Sequence, residues 1–238
     1  MIASHSQSAF SLVGIAVIMA VLSIATGLGL SLTDTRRERS EHYQTTNQLQ
    51  EIRTAIEHFY DTNGRLPCPA SRTEKLGDAT FGQEILSGSC DGSATEPAGT
   101  VRLDIGAGVY VRFGSLPTRN LMLRDTLMVD AYGTRITYAV MEDLTSAAAY
   151  SGASATLTVN NATGSDLTTS AAYVLVSHGD DSKGGFSLFG NANQSTCSGS
   201  NPDVENCDDD ATFSRAAFDL DIDSADYFDD LLIWEAKY

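Results

Sequence analysis

The sequence predicts an α+β protein in which a long N-terminal helix, membrane-spanning in its first half, packs on a mostly antiparallel β-sheet. Three observations predict it. Phe10 to Leu32, FSLVGIAVIMAVLSIATGLGLSL, carries no charged residue, and at ~1.5 Å rise per residue it reaches roughly 34 Å, enough for a hydrocarbon core of about 30 Å. Behind it, Leu49, Ile52, Ile56 and Phe59 recur at spacings of three and four, the apolar stripe of an amphipathic helix. A series of short apolar runs bounded by Gly, Asn, Asp and Ser then reads as strands.

In chain order, residues 1–9 (MIASHSQSA) are short and polar, with no Lys or Arg and no small-residue cleavage site beyond the apolar run, so any cut falls before that run. Residues 10–32 form the apolar segment and 33–63 its amphipathic continuation, which Asn63-Gly64 stops. Residues 64–238 form one head. Pro67 and Pro69 force an extended exit from the helix. Residues 71–100, rich in Gly, Ser, Thr and Asp, read as loop. The strand candidates are Val101 to Ile105, Val109 to Phe113, Arg135 to Met141, Ala155 to Val159 and Ala172 to Ser177, with Tyr227 to Trp234 as the closing strand. Ser146 to Thr169 is a low-complexity Ala/Ser/Thr/Gly stretch that reads as a surface insertion or hairpin. The sequons at Asn161 and Asn193 carry little weight.

Lys and Arg number 15 against 31 Asp and Glu, a net charge of −16, which argues against nucleic-acid or anionic-membrane binding by the head. Twelve of the acidic residues fall between Asn201 and Tyr238. A solvated acidic face accounts for most of them. A calcium site at Asp203, Asp208, Asp209 and Asp210, or in the DDSKGG turn, is the alternative.

Cys68, Cys90, Cys197 and Cys207 are even in number and lack CxxC spacing, which suits two disulfides in an oxidising compartment better than zinc. Three connectivities are open. Nearest-neighbour pairing, Cys68 with Cys90 and Cys197 with Cys207, is the expectation.

Two other clusters are weighed and set aside. Ser177-His178-Gly179-Asp180-Asp181 gathers the residue types of nucleophilic catalysis, but neighbours at a strand end point to opposite sides and no G-x-S-x-G elbow is present. Asp219, Asp221, Asp223 and Asp230 take EF-hand spacing, yet Ser224 stands where the loop needs Gly and Asp230 is shorter than the bidentate Glu. Their alternation with Phe218, Leu220 and Ile222 reads as a strand.

The junction Ala9-Phe10-Ser11-Leu12-Val13 resembles the class III leader junction of type IV pilins and type II secretion pseudopilins. GRLPCPA at residues 64–70 is similar to the helix exit of one pseudopilin group, and Asp130-Ala131-Tyr132-Gly133-Thr134 with Tyr138 resembles a turn and strand of pseudopilin heads. The resemblance implies a pilin-like fold, cleavage by prepilin peptidase between Ala9 and Phe10, and methylation of the new amine. It further implies an inner-membrane protein with a periplasmic head that then joins a periplasmic or extracellular filament. Its partners would be membrane lipid before assembly and other pilin-like subunits after it. Packing of apolar helices through Gly14, Ala16, Ala20, Ser23 and Ala25 would drive polymerisation. Gly14 replaces the Glu most members carry at that position, which the resemblance reads as a minor subunit. Arg36, Arg37 and Arg39 taken alone would put the head in the cytoplasm; the cysteines and the resemblance put it on the other side. The function expected is structural and not enzymatic. The alternative is a membrane-anchored or filament-tip adhesin whose acidic loops calcium steadies.

Overall fold

The computed structural model describes residues 12–86, 88–92, 96–192, 197, 202–219 and 224–238; between residues 12 and 36 it describes the backbone and, of the side chains, Met19 alone. Two compact units divide the chain, Met1–Tyr43 and Gln44–Tyr238. The leader junction Ala9–Phe10 lies outside the described residues, as do the side chains of Gly14, Ala16, Ala20, Ser23 and Ala25.

Helix α1 (Leu12–Asn63) ends where Gly64 donates its N–H to Tyr60 O at 2.7 Å. Among the described residues no helix is long and apolar enough to cross a membrane. This overturns the membrane-spanning half of the expected fold and, with it, the transmembrane assignment and the inner-membrane location. From residue 37 onward the helix bears Arg37, Glu38, Arg39, Glu41, Glu51, Arg53 and Glu57, and an Arg at a bilayer centre costs about 2.5–3.5 kcal/mol on insertion scales. The pseudopilin and type II secretion labels drawn from the resemblance find no support in the structure either.

Within the second unit, Leu49, Ile52, Ile56 and Phe59 are buried in one core with Val111, Phe113, Tyr138, Val140 and Tyr173. Polar ties fix the rotation of the helix about its axis. Gln48 Nε2 donates to Leu127 O at 2.9 Å and Val129 O at 2.8 Å, and Thr45 Oγ1 accepts from Ala131 N at 3.2 Å.

The sheet contains β1 (Val101–Gly106), β2 (Val109–Ser115), β3 (Thr137–Met141), β4 (Leu157–Asn161), β5 (Asp166–Ser177), β6 (Thr212–Arg215) and β7 (Leu231–Ala236), in the order β1-β2-β3-β5-β4-β6 with β7 also on β5. Among the described residues it is mixed: five of its six strand pairings are antiparallel, and the sixth, β6 on β4, is parallel with Thr158 opposite Thr212. Parallel neighbours need a long crossover connection, and the chain supplies one by passing through β5 and residues 178–211 before β6. β5 begins within the low-complexity stretch. Asn161 Oδ1 accepts from Thr163 N at 2.9 Å and Ser165 N at 3.0 Å, a local turn that makes β4 and β5 a hairpin.

The exit after α1 is built into the fold. Arg65 grips Glu84 through Nη1 to Oε1 at 2.7 Å and Nη2 to Oε2 at 3.0 Å, while Cys68 N donates to the same Oε1 at 2.6 Å. Tyr138 OH donates to Pro67 O at 3.1 Å. The disulfides are Cys68–Cys90 and Cys197–Cys207.

Candidate metal centre

The last rung between β5 and β7 pairs Ser177 with Leu231. In an antiparallel pair the residues beyond it continue in step, so Gly179 faces Asp229, and the chain leaving β5 runs beside the chain entering β7. A Cβ on Gly179 would stand 2.5 Å from Asp229 O, so only glycine permits this approach. Farther along the same turn, a Cβ on Gly184, whose φ is +78°, would stand 2.7 Å from Cys207 Cα. The turn is thereby pressed between the entry to β7 and the disulfide loop.

A third segment, the 3-10 turn Pro202–Asn206, is clamped to the same place by Asn206. Its Nδ2 donates to Ser214 O at 2.9 Å and to Asp230 Oδ2 at 2.8 Å, and its Oδ1 accepts from Ser214 N at 2.8 Å. These three segments bring together Asp181, Asp203 and Asp229, which each offer an oxygen within 4.8 Å of the others.

Lys183 lies among them. Its Nζ is 2.9 Å from Asp181 Oδ2 and 2.7 Å from Asp203 Oδ2, and 5.6 Å from the centre of the Tyr227 ring. Asp181 Oδ1 accepts the Lys183 backbone N–H at 2.8 Å, and Asp229 Oδ2 accepts the Asp181 backbone N–H at 2.9 Å. Asp203 and Asp229 are 1% and 0% exposed, yet Asp203 Oδ1 and Asp229 Oδ1 have no hydrogen-bond partner, nor does Oδ1 of buried Asp230.

Asp203, Asp229 and Asp230 are buried around an ammonium and a fourth carboxylate, Asp181, whose side chains keep only a small exposure to water. Burial raises Asp229 to about 7 against the hydrogen bond from Asp181 N, with Asp181 and Asp203 as like charges adding to the rise. Burial and then Asp203 and Asp229 push Asp230 well above the carboxylate range. Asp203 is raised by burial although Lys183 opposes it. For Lys183, burial works against the charge, but the bonds to Asp203 and Asp181 outweigh it and hold the ammonium above its ordinary value. The donor set is all oxygen, with neither sulfur nor imidazole, which suits a hard cation. The Asp181, Asp203 and Asp229 carboxylates fit a metal ion, since the unpartnered buried oxygens are what such an ion would satisfy.

The acidic loop expected to hold calcium is differently arranged. Only Asp203 of Asp203, Asp208, Asp209 and Asp210 belongs to the cluster. Asp209 is gripped by Arg72 through two contacts of 2.6 Å, Asp208 Oδ1 accepts from Asp210 N at 3.3 Å, and Asp210 Oδ1 accepts from Thr212 N at 2.6 Å. Asp181, from the DDSKGG turn, does take part. Asp229 is the member that sequence reasoning missed, its one signal being a pair of aspartates directly before an apolar strand, while Lys183 lies within the DDSKGG turn but had no role assigned.

The Ser-His-Asp cluster is not an assembled triad. Ser177 Oγ donates to Asp130 Oδ2 at 2.6 Å, and His178 Nε2 pairs with Thr137 Oγ1 at 2.8 Å. Burial, with Arg72 adding to it, lowers His178 to about 4. In the stretch with EF-hand spacing, residues 220–223 lie outside the described residues, Asp219 bridges to Phe228, and Asp230 Oδ2 is held by Asn206.

No family model, curated protein or solved structure matches the chain.

Proposed function

We propose that the chain is a structural or binding module, not an enzyme, whose late loops are fixed by a bound calcium ion in an oxidising compartment, periplasmic or extracellular. The observation that carries this reading is the set of buried, unpartnered oxygens on Asp203 and Asp229 beside Asp181. Calcium suits the centre better than magnesium. It accepts irregular sets of carboxylate oxygens from flexible segments, whereas magnesium demands near-octahedral geometry and keeps several waters. Pro202–Asn206, one of the three segments that meet at the centre, directly precedes Cys207 of the Cys197–Cys207 disulfide, and two disulfides fit an oxidising setting. The ion would act as a cross-link between surface loops, giving a partner a fixed surface to bind.

Thermal unfolding in calcium, in magnesium and in chelator tests this. Calcium should raise the midpoint above the chelated protein and above magnesium at equal concentration, and Asp203→Asn or Asp229→Asn should remove the difference. Identical midpoints in calcium and chelator for the unsubstituted protein would reject the reading.

A role as a filament subunit is a second proposal, favoured by the leader-junction sequence at Ala9–Phe10 together with the way residues 64–70 anchor to Glu84 and Tyr138. N-terminal sequencing of the mature protein decides it: a methylated Phe10 supports it, and an intact Met1 in cells with active prepilin peptidase removes it.

A further inference from the structure

We infer that Lys183 is a resident counter-ion that competes with the divalent cation for Asp181, so that calcium affinity is set by the displacement of an ammonium group. The inference rests on the cation reading above and concerns how that same centre is regulated.

The argument starts from the engagement of each oxygen. Asp203 Oδ1 and Asp229 Oδ1 are unpartnered and ready for an ion. Asp181 is the third carboxylate, and Lys183 engages both of its oxygens, the backbone N–H on Oδ1 at 2.8 Å and the ammonium on Oδ2 at 2.9 Å. A cation that recruits Asp181 therefore meets a positive charge already seated on the oxygen it needs. Two cations on one carboxylate oxygen stand within a few ångströms of each other, where repulsion in a buried site is strong. One of them has to move.

Lys183 can do so without moving the loop. Its backbone is fixed by the N–H to Asp181 and by the close packing of Gly184 against Cys207. Its side chain is 14% exposed, beside the face of Tyr227, and hangs on a flexible four-carbon stem. Swinging outward returns the ammonium to water, and the divalent ion takes over the neutralising role. In the cation-free protein the lysine plays that role itself and keeps Asp181 and Asp203 from repelling each other. The centre thus has two occupied states, one held by an ammonium and one by a metal, and the loops are ordered in both.

Lys183→Met removes the ammonium and keeps the bulk of the stem; Lys183→Gln keeps a donor without the charge. Calcium binding to both variants and to the unsubstituted protein is measured by titration calorimetry, with near-UV circular dichroism recorded in calcium and in chelator. Both variants should bind calcium at least tenfold more tightly than the unsubstituted protein and should have lower midpoints in chelator. Variants that fold only when calcium is present support the inference equally, because the lysine would then be what replaces the ion. Folded variants with unchanged or weaker calcium affinity, beside an unsubstituted protein that binds, would overturn the competition and leave the calcium reading standing. Variants unfolded with and without calcium would also overturn it, since the lysine would then be needed in both states. If the unsubstituted protein and the variants all fail to bind calcium, the cation reading falls and takes this inference with it.

Discussion

Two clusters of buried charge in the same head are built on opposite balances. Around Glu142, which is 1% exposed, two arginines converge on one carboxylate. Arg102 Nε and Arg112 Nε both lie 2.6 Å from Oε2, and Oε1 accepts from Arg102 Nη2 at 2.8 Å and from Gly92 N at 3.2 Å. Each oxygen is paired, and the guanidinium of Arg102 also lies 3.3 Å from the centre of the Tyr110 ring. Around Lys183 the ratio is inverted, with Asp181, Asp203, Asp229 and Asp230 sharing one ammonium and three buried oxygens left without a partner. The difference separates a closed structural network from an open site. The first has no use for a ligand, whereas the second, even with its ammonium in place, keeps three buried oxygens that a divalent cation or a proton could satisfy.

Glu142→Gln breaks the closed network and should produce the largest effect. It leaves Arg112, with a side chain 0% exposed, without its counter-charge, and removing one member of a buried ion pair costs about 3–5 kcal/mol. Urea unfolding in calcium and in chelator should show the same loss under both conditions; a loss present only in chelator would mean that the two clusters are coupled.

Asp130 stands between the two cases, a buried carboxylate with hydrogen bonds and no cation. Its Oδ1 accepts from Tyr132 N at 3.0 Å and Thr134 N at 2.9 Å, and its Oδ2 from Ser177 Oγ at 2.6 Å. Burial nonetheless raises it to about 6. A carboxyl raised in the folded state contributes stability that is present below its ordinary value of 3.8 and lost as pH rises through about 6. His178 has the opposite sign. Lowered to about 4, it contributes stability that is present above its ordinary 6.5 and lost as pH falls toward 4. The two oppose each other across most of that window. Asp130→Asn removes one of them, so the variant should gain on the unsubstituted protein by about 2 kcal/mol between pH 4 and pH 7. A stability gap that stays constant across that range would show that Asp130 does not titrate there.

Asp229→Asn tests the open site. With calcium at a hundredfold excess over its dissociation constant, binding to the folded state alone contributes about 2.7 kcal/mol, and the variant should lose that increment. In chelator it should be no less stable than the unsubstituted protein, since it removes a crowded charge. A large loss in chelator would mean that Asp229 is a closed structural group like Glu142.

The smallest effect belongs to Arg53→Ala. Its 3.0 Å contact with Glu235 joins side chains that are 42% and 32% exposed, and exposed pairs are worth about 0.2–1 kcal/mol. Thermal unfolding at low and high salt should give nearly the same small difference; several kcal/mol would imply a stronger tie between α1 and β7 than its exposure allows.

Much of the packed helix and of β1, β2 and β3 was legible in the sequence, because those segments state their burial in their own spacing. Leu49, Ile52, Ile56 and Phe59 mark one face wherever the helix packs, and Val109 to Phe113 alternates in a way only a strand accommodates. β5 was harder to read. Its first residues, Asp166 to Ser170, are mostly exposed polar side chains that earn their strand state by pairing with β4. β6 carries four residues, too few for a periodicity, and its parallel place beside β4 comes from the path of the chain before it. The apolar run was legible as apolar, but a membrane crossing does not follow for any helix among the described residues.

The sequence by itself determined the acidic balance, the oxidising-compartment cysteines and the local punctuation at Asn63-Gly64 and the two prolines, because each depends on composition or on neighbours along the chain. Which aspartates matter was decided by tertiary structure alone. Asp208, Asp209 and Asp210 look the denser cluster in one dimension, yet Arg72 and two backbone amides engage them. Asp181, Asp203 and Asp229, spread over 49 positions of the chain, converge because the β5–β7 register places Gly179 against Asp229 and Asn206 clamps the third segment to Asp230. Burial and proximity set the chemistry of a carboxylate, and both are properties of the folded chain.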